Sequence, residues 1–241
     1  MCGIFGFVIH EASGISPDIR DKIMNNLYTL SESRGSEASG FAFEYENKIN
    51  VYRTPEAASE LIKTEIYKNS ISGLCRNPIY SMGIGHSRLV TDGEEYNNAN
   101  NQPVIKNGMA VVHNGIVVNA SKLWDKFGKE SRKTELDSEI IPTLFSSFKE
   151  NNSFDYALDQ LFKEIYGMSS IAVVFEELEN LLLATNNGSI YYTSDNSNKS
   201  LIFCSERQIM LDLIDIIGSD ILSPKIEHLY PNSAILINVK T

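Results

Sequence analysis

Cys2-Gly3-Ile4-Phe5-Gly6-Phe7-Val8-Ile9 follows Met1 at the start of the chain. The run is short, apolar and rich in β-forming residues, so it reads as a strand buried within a sheet. A helix start comes next. Ser16 offers a capping hydroxyl, Pro17 fits the first helical position, and Ile19, Ile23, Leu27 and Leu30 recur at helical spacing. Residues 40–45 and 48–53 read as two strands joined by a turn at Glu46-Asn47, and Thr54-Pro55-Glu56 opens a helix expected to reach about Tyr67. Residues 80–86 and 109–113 read as buried strands, with the polar segment 92–101 between them as a surface loop. Helical spacing covers 120–127, 137–149 and 154–165. Strands are expected at 170–175, 181–185, 200–204 and 234–239, with a helix at 207–217. No repeat, low-complexity stretch or linker interrupts the pattern. The expectation is one α+β domain over 1–241, with strands at both ends of the chain and helices between.

A chain of 241 residues, 42% of them hydrophobic, can bury a sizeable core. Its formal net charge of −10 argues against a nucleic-acid-binding face, which needs clustered Lys and Arg. The cysteines are Cys2, Cys75 and Cys204. Their odd number and irregular spacing fit neither a disulfide framework nor a zinc site, and point to the reducing cytoplasm. No apolar run approaches the roughly 18 residues needed to span a membrane, and the first residues lack the basic region of a signal peptide. A cytoplasmic protein with no membrane partner is expected.

Cys2 carries the chemical interest. It is small enough for methionine aminopeptidase to expose it, and an N-terminal Cys holds a thiol and an α-amine on one residue. A free amine with a pKa near 8 is partly neutral at pH 7 and can serve as general base. The competing reading is a small buried thiol at the start of a strand. For Asn114-Gly115 the competing reading is a plain hairpin turn. For Arg88 it is a surface ion pair, and for Asp137 a helix N-cap.

Several segments occur together in order: Cys2-Gly3-Ile4-Phe5-Gly6, Ser33-Arg34-Gly35-Ser36-Glu37-Ala38-Ser39-Gly40, Gly85-His86-Ser87-Arg88, Gln102-Pro103, His113-Asn114-Gly115 and Asp137-Ser138-Glu139. The ordered set resembles the glutaminase domain of the class II glutamine amidotransferases. The resemblance runs from the first residue to about Glu206. It implies an N-terminal-nucleophile hydrolase fold, a four-layer αββα sandwich of two antiparallel sheets between helices. It also implies glutamine hydrolysis through a thioester on Cys2, with the Asn114 side-chain amide and the Gly115 backbone N–H as oxyanion donors. Such a donor is worth roughly 2.7–4 kcal/mol of barrier. By the same resemblance Arg88 clamps the glutamine α-carboxylate with its planar fork, Asp137 meets the α-ammonium, and the backbone near Thr91 helps hold substrate. Arg34 and Gly35 would support the nucleophile strand. His86 and Asn119 read as structural, His86 as a satisfied core histidine, and Cys75 and Cys204 as core thiols. No metal or organic cofactor is implied, because attack, proton transfer and oxyanion stabilisation come from these residues.

The chain departs from the sugar-phosphate branch at Leu89, Asp92, Gln102-Pro103, Leu136 and Thr185-Asn186-Asn187. The first of these look closer to the phosphoribosylpyrophosphate amidotransferase and asparagine synthetase branches. No phosphate loop or ATP-pyrophosphatase motif follows the last strand, so the expected partners are L-glutamine and a separate ammonia-accepting synthase subunit. The alternatives are a non-catalytic glutamine-binding or scaffolding relative, and an N-terminal-nucleophile amidase acting on another amide.

Overall fold

The opening run forms strand β1 (Gly3–His10), flanked on both sides by other strands. In the computed structural model, residues 2–45, 48–89, 97–176 and 180–239 are described. One sheet also contains β2 (Ala38–Tyr45), β3 (Lys48–Thr54), β4 (Tyr80–Arg88), β9 (Ile190–Thr193), β10 (Ser200–Cys204) and β11 (Glu227–Leu229), in the order β11-β9-β10-β1-β4-β2-β3. The second contains β5 (Val104–Lys106), β6 (Met109–Gly115), β7 (Ser169–Phe175), β8 (Asn180–Thr185) and β12 (Ser233–Asn238), in the order β12-β8-β7-β6-β5. The paired strands run antiparallel in both sheets.

Side-chain alternation builds three apolar layers. Phe5, Phe7 and Ile9 of β1 face outward and pack with α1 (Pro17–Ser31), α2 (Ala58–Leu61), α3 (Glu65–Cys75) and α7 (Arg207–Ile217). Met109, Val111, Ile171 and Val173 face the other way and pack with α4 (Ala120–Phe127), α5 (Ile140–Lys149) and α6 (Phe154–Glu164). Ile4, Val8, Met82, Ile84, Ala110, Val112, Ala172 and Leu183 fill the space between the sheets. The order is helices, sheet, sheet, helices, which is the expected αββα sandwich.

Ser16 caps α1 as read from the sequence, its Oγ accepting the Ile19 N–H at 3.4 Å. The single helix expected from Thr54 to about Tyr67 is not formed. Thr54 ends β3, α2 stops at Leu61, and the Thr64 hydroxyl accepts the Tyr67 N–H at 3.2 Å to start α3 afresh. A capping side chain inside an apolar run ends one helix and begins the next. The expected turn at 46–47 and part of the expected loop, 92–96, lie outside the described residues. Residues 98–100 of that loop form a 3-10 turn. The short strands β5, β9 and β11 were not read from the sequence, since three or four residues carry too little alternation.

Candidate active site

The space between the sheets is apolar along most of its length and polar at one end. Continuing the side-chain alternation along β4 places His86 and Arg88 after Met82 and Ile84 on the inner face. On the opposite sheet Asn114, Ser170 and Thr185 lie in one cross-strand row, with Asn114 paired to Ser170 and Ser170 to Thr185. β1 pairs Gly3 with Ser87, and continuing that register by one residue sets Cys2 beside Arg88. Strand order and pleat thus bring together residues that are far apart in the chain.

Cys2, Asn114 and Gly115 line one cavity of about 340 Å³, with Ile116, Val118, Gly167, Met168 and Asn187. The Cys2 Sγ lies 3.5 Å from the Leu89 carbonyl oxygen. Burial pushes the thiol above its ordinary value, while a backbone hydrogen bond to the sulfur at Leu89 and the Arg88 charge pull it down, with burial outweighing them. Asn114 is buried, and its Oδ1 has no protein partner among the described residues. Asn114 and Gly115 are not a hairpin turn. They complete β6, opposite Ser170 and Ser169. A Cβ on Gly115 would stand 1.9 Å from the Met168 carbonyl oxygen, so a side chain there would collide with backbone.

That close approach belongs to a zipper between two loops. Ile116 N–H donates to Met168 O at 3.0 Å and Val118 N–H to Tyr166 O at 2.8 Å. Asn119 closes the zipper, donating from Nδ2 to Glu164 O and accepting the Tyr166 N–H, both at 2.8 Å. Its expected structural role is visible in these bonds. Behind the cavity the Ser170 and Thr185 hydroxyls lie 2.7 Å apart, and each is 2.8 Å from Asn187 Oδ1.

Arg88 is 3% exposed, which removes the surface ion-pair reading, and its Nη1 donates to Asn101 Oδ1 at 2.6 Å. Asp137 does not cap a helix. It begins a 3-10 turn for which Leu136 is the cap, and its Oδ2 accepts the Val117 N–H at 2.6 Å. Arg88 and Asp137 both act electrostatically on the Cys2 thiol, in opposite directions. Arg34 pairs with the Glu206 carboxylate. A Cβ on Gly3 would stand 3.2 Å from the Arg34 Cβ, and one on Gly35 would stand 2.2 Å from the Arg88 carbonyl carbon. The Arg34-Gly35 segment therefore packs against the start of β1 and the end of β4. Thr91 lies outside the described residues.

His86 departs from its expected role as a satisfied histidine. It is fully buried, and neither ring nitrogen has a hydrogen-bond partner among the described residues. Burial, with Arg88 and His113 adding to it, lowers its pKa to about 3. Cys75 and Cys204 are buried, and burial raises both thiols to about 12. Sequence reasoning missed Asn101, Asn187 and Ser138 as members of the site. Asn and Ser near turns carry no distinguishing local signal, and only the bond of Asn101 to Arg88, the place of Asn187 in the cavity with Cys2 and the contact of Ser138 with His113 reveal them. Among the described residues no cluster of His, Cys, Asp or Glu could hold a metal ion, and no helix is long and apolar enough to cross a membrane.

Residues 86–212, more than half of the chain, match the family described as a glutamine amidotransferase domain. The chain belongs to the class II glutamine amidotransferase family. It is similar to the isomerizing glutamine–fructose-6-phosphate aminotransferases of Rhizobium leguminosarum bv. viciae, 30% identical over 191 residues, and of Clostridium acetobutylicum, 32% identical over 193 residues. Each match covers 78% of this chain but 29% of the relative, so the chain spans under a third of the length of these proteins. In fold it resembles the glutamine phosphoribosylpyrophosphate amidotransferase of B. subtilis, with a TM-score of 0.69 at 18% identity over 98% of this chain and 47% of that one. A structure described as the allosteric regulatory enzyme of purine biosynthesis gives a TM-score of 0.70 at 19% identity, with the same coverage. The sandwich is the N-terminal-nucleophile fold of these amidotransferases. The sequence relatives named here are fructose-6-phosphate aminotransferases while one of the fold relatives is a phosphoribosylpyrophosphate amidotransferase, so the departures at Leu89 and Gln102 do not by themselves assign a branch.

Proposed function

We propose that this chain hydrolyses L-glutamine to L-glutamate and ammonia through a thioester on Cys2. The observation that carries the reading is the shared cavity in which Cys2 meets the buried Asn114 amide and the Gly115 backbone. Once Met1 is removed, the Cys2 α-amine takes the thiol proton, directly or through a water, and the sulfur attacks the side-chain amide carbon. The oxyanion that forms is stabilised by the Asn114 amide and the Gly115 N–H. Collapse breaks the carbon–nitrogen bond, and the protonated amine passes its proton to the departing ammonia. Water then attacks the thioester, releasing glutamate and restoring the thiol. A thiol raised by burial needs such a base, because little of it is ionised near neutral pH.

Arg88 and Asp137 carry charges opposite to those of an α-amino acid, which favours glutamine over other amides as substrate. Arg34 and Gly35 brace β1 against β4 beneath the nucleophile, and the backbone near Thr91 contributes to substrate holding. The whole span 1–241 is read as one glutaminase domain, since β1 pairs with β10 across most of the chain length and the last strand, β12, pairs with β8. Ammonia passes to a separate synthase partner. The rim of the cavity supports this, because Ile116, Val118 and Met168, which line it, are 54%, 75% and 58% exposed.

The test is glutamate release by protein whose intact mass shows Met1 removed, beside Cys2→Ala. Release by the first and none by the second is expected. Release that survives Cys2→Ala would sink the reading. Glutamine binding without turnover would favour the non-catalytic alternative instead.

A further inference from the structure

Ser138 is buried one residue after Asp137, and its hydroxyl meets three groups: Asp137 Oδ1 at 3.1 Å, His113 Nδ1 at 3.0 Å and Gln102 Nε2 at 3.3 Å. Thiol attack uses none of these contacts directly. The direction of each bond follows from what each group can do. The His113 backbone N–H can only donate, so the Gln102 atom 2.6 Å from it is the amide oxygen. Gln102 Nε2 then donates to the His113 carbonyl at 3.1 Å and to Ser138 Oγ. A carboxylate only accepts, so the single Ser138 proton goes to Asp137. Ser138 Oγ is left as an acceptor toward His113, whose Nδ1 must therefore carry the imidazole proton. Nε2, which has no hydrogen-bond partner among the described residues, faces Gly115, where a Cβ would stand 2.8 Å from it.

Resting on the glutaminase reading above, we propose that Ser138 is a positioning residue that locks His113 as its Nδ1–H tautomer and joins the Asn114–Gly115 strand end to the Asp137 carboxylate. The segment 113–117 is then held from both sides by 137–138. His113 is tied through Ser138 and Gln102, and Val117 through Asp137 Oδ2 at 2.6 Å. The carboxylate that meets the substrate ammonium and the donors that meet the oxyanion share one rigid frame. Burial supports this by keeping the His113 imidazole neutral, the Asp137 charge opposing it only in part. A frame of this kind governs rate more than binding, because displacing a donor by about 1 Å costs on the order of a hundredfold in turnover.

The experiment compares Ser138→Ala and Ser138→Thr with the unsubstituted chain, all with Met1 removed. Ser138→Ala is expected to lower kcat on glutamine by on the order of tenfold or more with KM within about threefold, and Ser138→Thr to restore most of it. An unchanged kcat in Ser138→Ala, a loss confined to KM, or a loss explained by a fall in Tm would each overturn the proposal. Imidazole 15N spectra, assigned with His113→Gln, give a readout that needs no turnover. The Nδ1–H pattern of His113 is expected in the unsubstituted chain and its loss in Ser138→Ala. An Nε2–H pattern in the unsubstituted chain overturns the proposal whatever the kinetics. No hydrolysis by an unsubstituted chain with the Nδ1–H pattern overturns the glutaminase reading, while the frame itself stands.

Discussion

Cys2 differs from the other two cysteines in access as well as position. Cys75 and Cys204 are buried with thiols raised to about 12, whereas Cys2 lines a cavity and its thiol, though raised by burial, is pulled down in part by a backbone hydrogen bond at Leu89 and by the Arg88 charge. Iodoacetamide is therefore expected to label the native chain once, at Cys2. The rate should rise with pH beyond the ordinary thiol range, because the thiolate fraction lags that of a free cysteine. Peptide mapping with a pH series checks this, and a rate already level between pH 7 and 9 would contradict it. Arg88 is held by Asn101 in a way a lysine cannot copy, since an ammonium lacks the planar fork. Arg88→Lys is expected to raise KM for glutamine by about tenfold or more, through loss of a charge-assisted pair, with a smaller change in kcat.

Close backbone contacts frame the site. Gly35 packs on the backbone of Arg88 and Leu89, where an added Cβ would stand 2.2–2.4 Å from the Arg88 carbonyl group and the Leu89 nitrogen. Gly35→Ala must push the end of β4 away from the segment after α1, and overpacking of this kind costs about 2–3 kcal/mol. Urea unfolding should report that loss, and glutamine binding should weaken with it because Arg88 and Leu89 move together. A stable Gly35→Ala protein with unchanged binding would mean that the contact yields elsewhere. Near the other wall of the site, buried Lys106 pairs with buried Glu139 at 2.8 Å. Burial raises Glu139, but bonds from Lys106, Lys133 and Thr134 outweigh it and hold the carboxylate below its ordinary value. Lys106→Met leaves that charge without its cation and is expected to cost about 3–5 kcal/mol, again read by urea unfolding.

The stability of the whole sandwich should depend on pH through its buried imidazoles. His86 titrates at 6.5 in an unfolded chain and at about 3 in the folded one, because burial disfavours the imidazolium. Between those values the unfolded state binds the extra proton, so stability is complete above pH 6.5 and falls as the pH drops toward 3. The slope is roughly 1.4 kcal/mol per pH unit for one such group. His86→Gln removes the titration, and the fall in unfolding midpoint between pH 6.5 and 4 should be shallower than in the unsubstituted chain. Equal slopes would place the acid sensitivity elsewhere. His113 contributes in the same direction, its pKa also lowered by burial.

The sequence alone determined the class of fold and the main candidates for the site. β1, α1, α4, α7 and the strands around Met109 and Ser170 were legible because each carries its own period, cap or apolar run, and such signals act over a few residues. Cys2, Arg88, Asn114, Gly115 and Asp137 entered as candidates through the ordered motifs that resemble the class II amidotransferases, with thiol, guanidinium and carboxylate chemistry in keeping with that resemblance. Only the tertiary structure decided what those groups touch. It placed Asn101 on Arg88, set Asp137 on the Val117 N–H instead of a helix end, buried His86 completely, and made Ser138 the link between the two sides of the site. These facts depend on strand order and register, which juxtapose residues tens of positions apart. Local propensity carries no record of them, since the same Asn, Ser or His would look alike in any loop or strand.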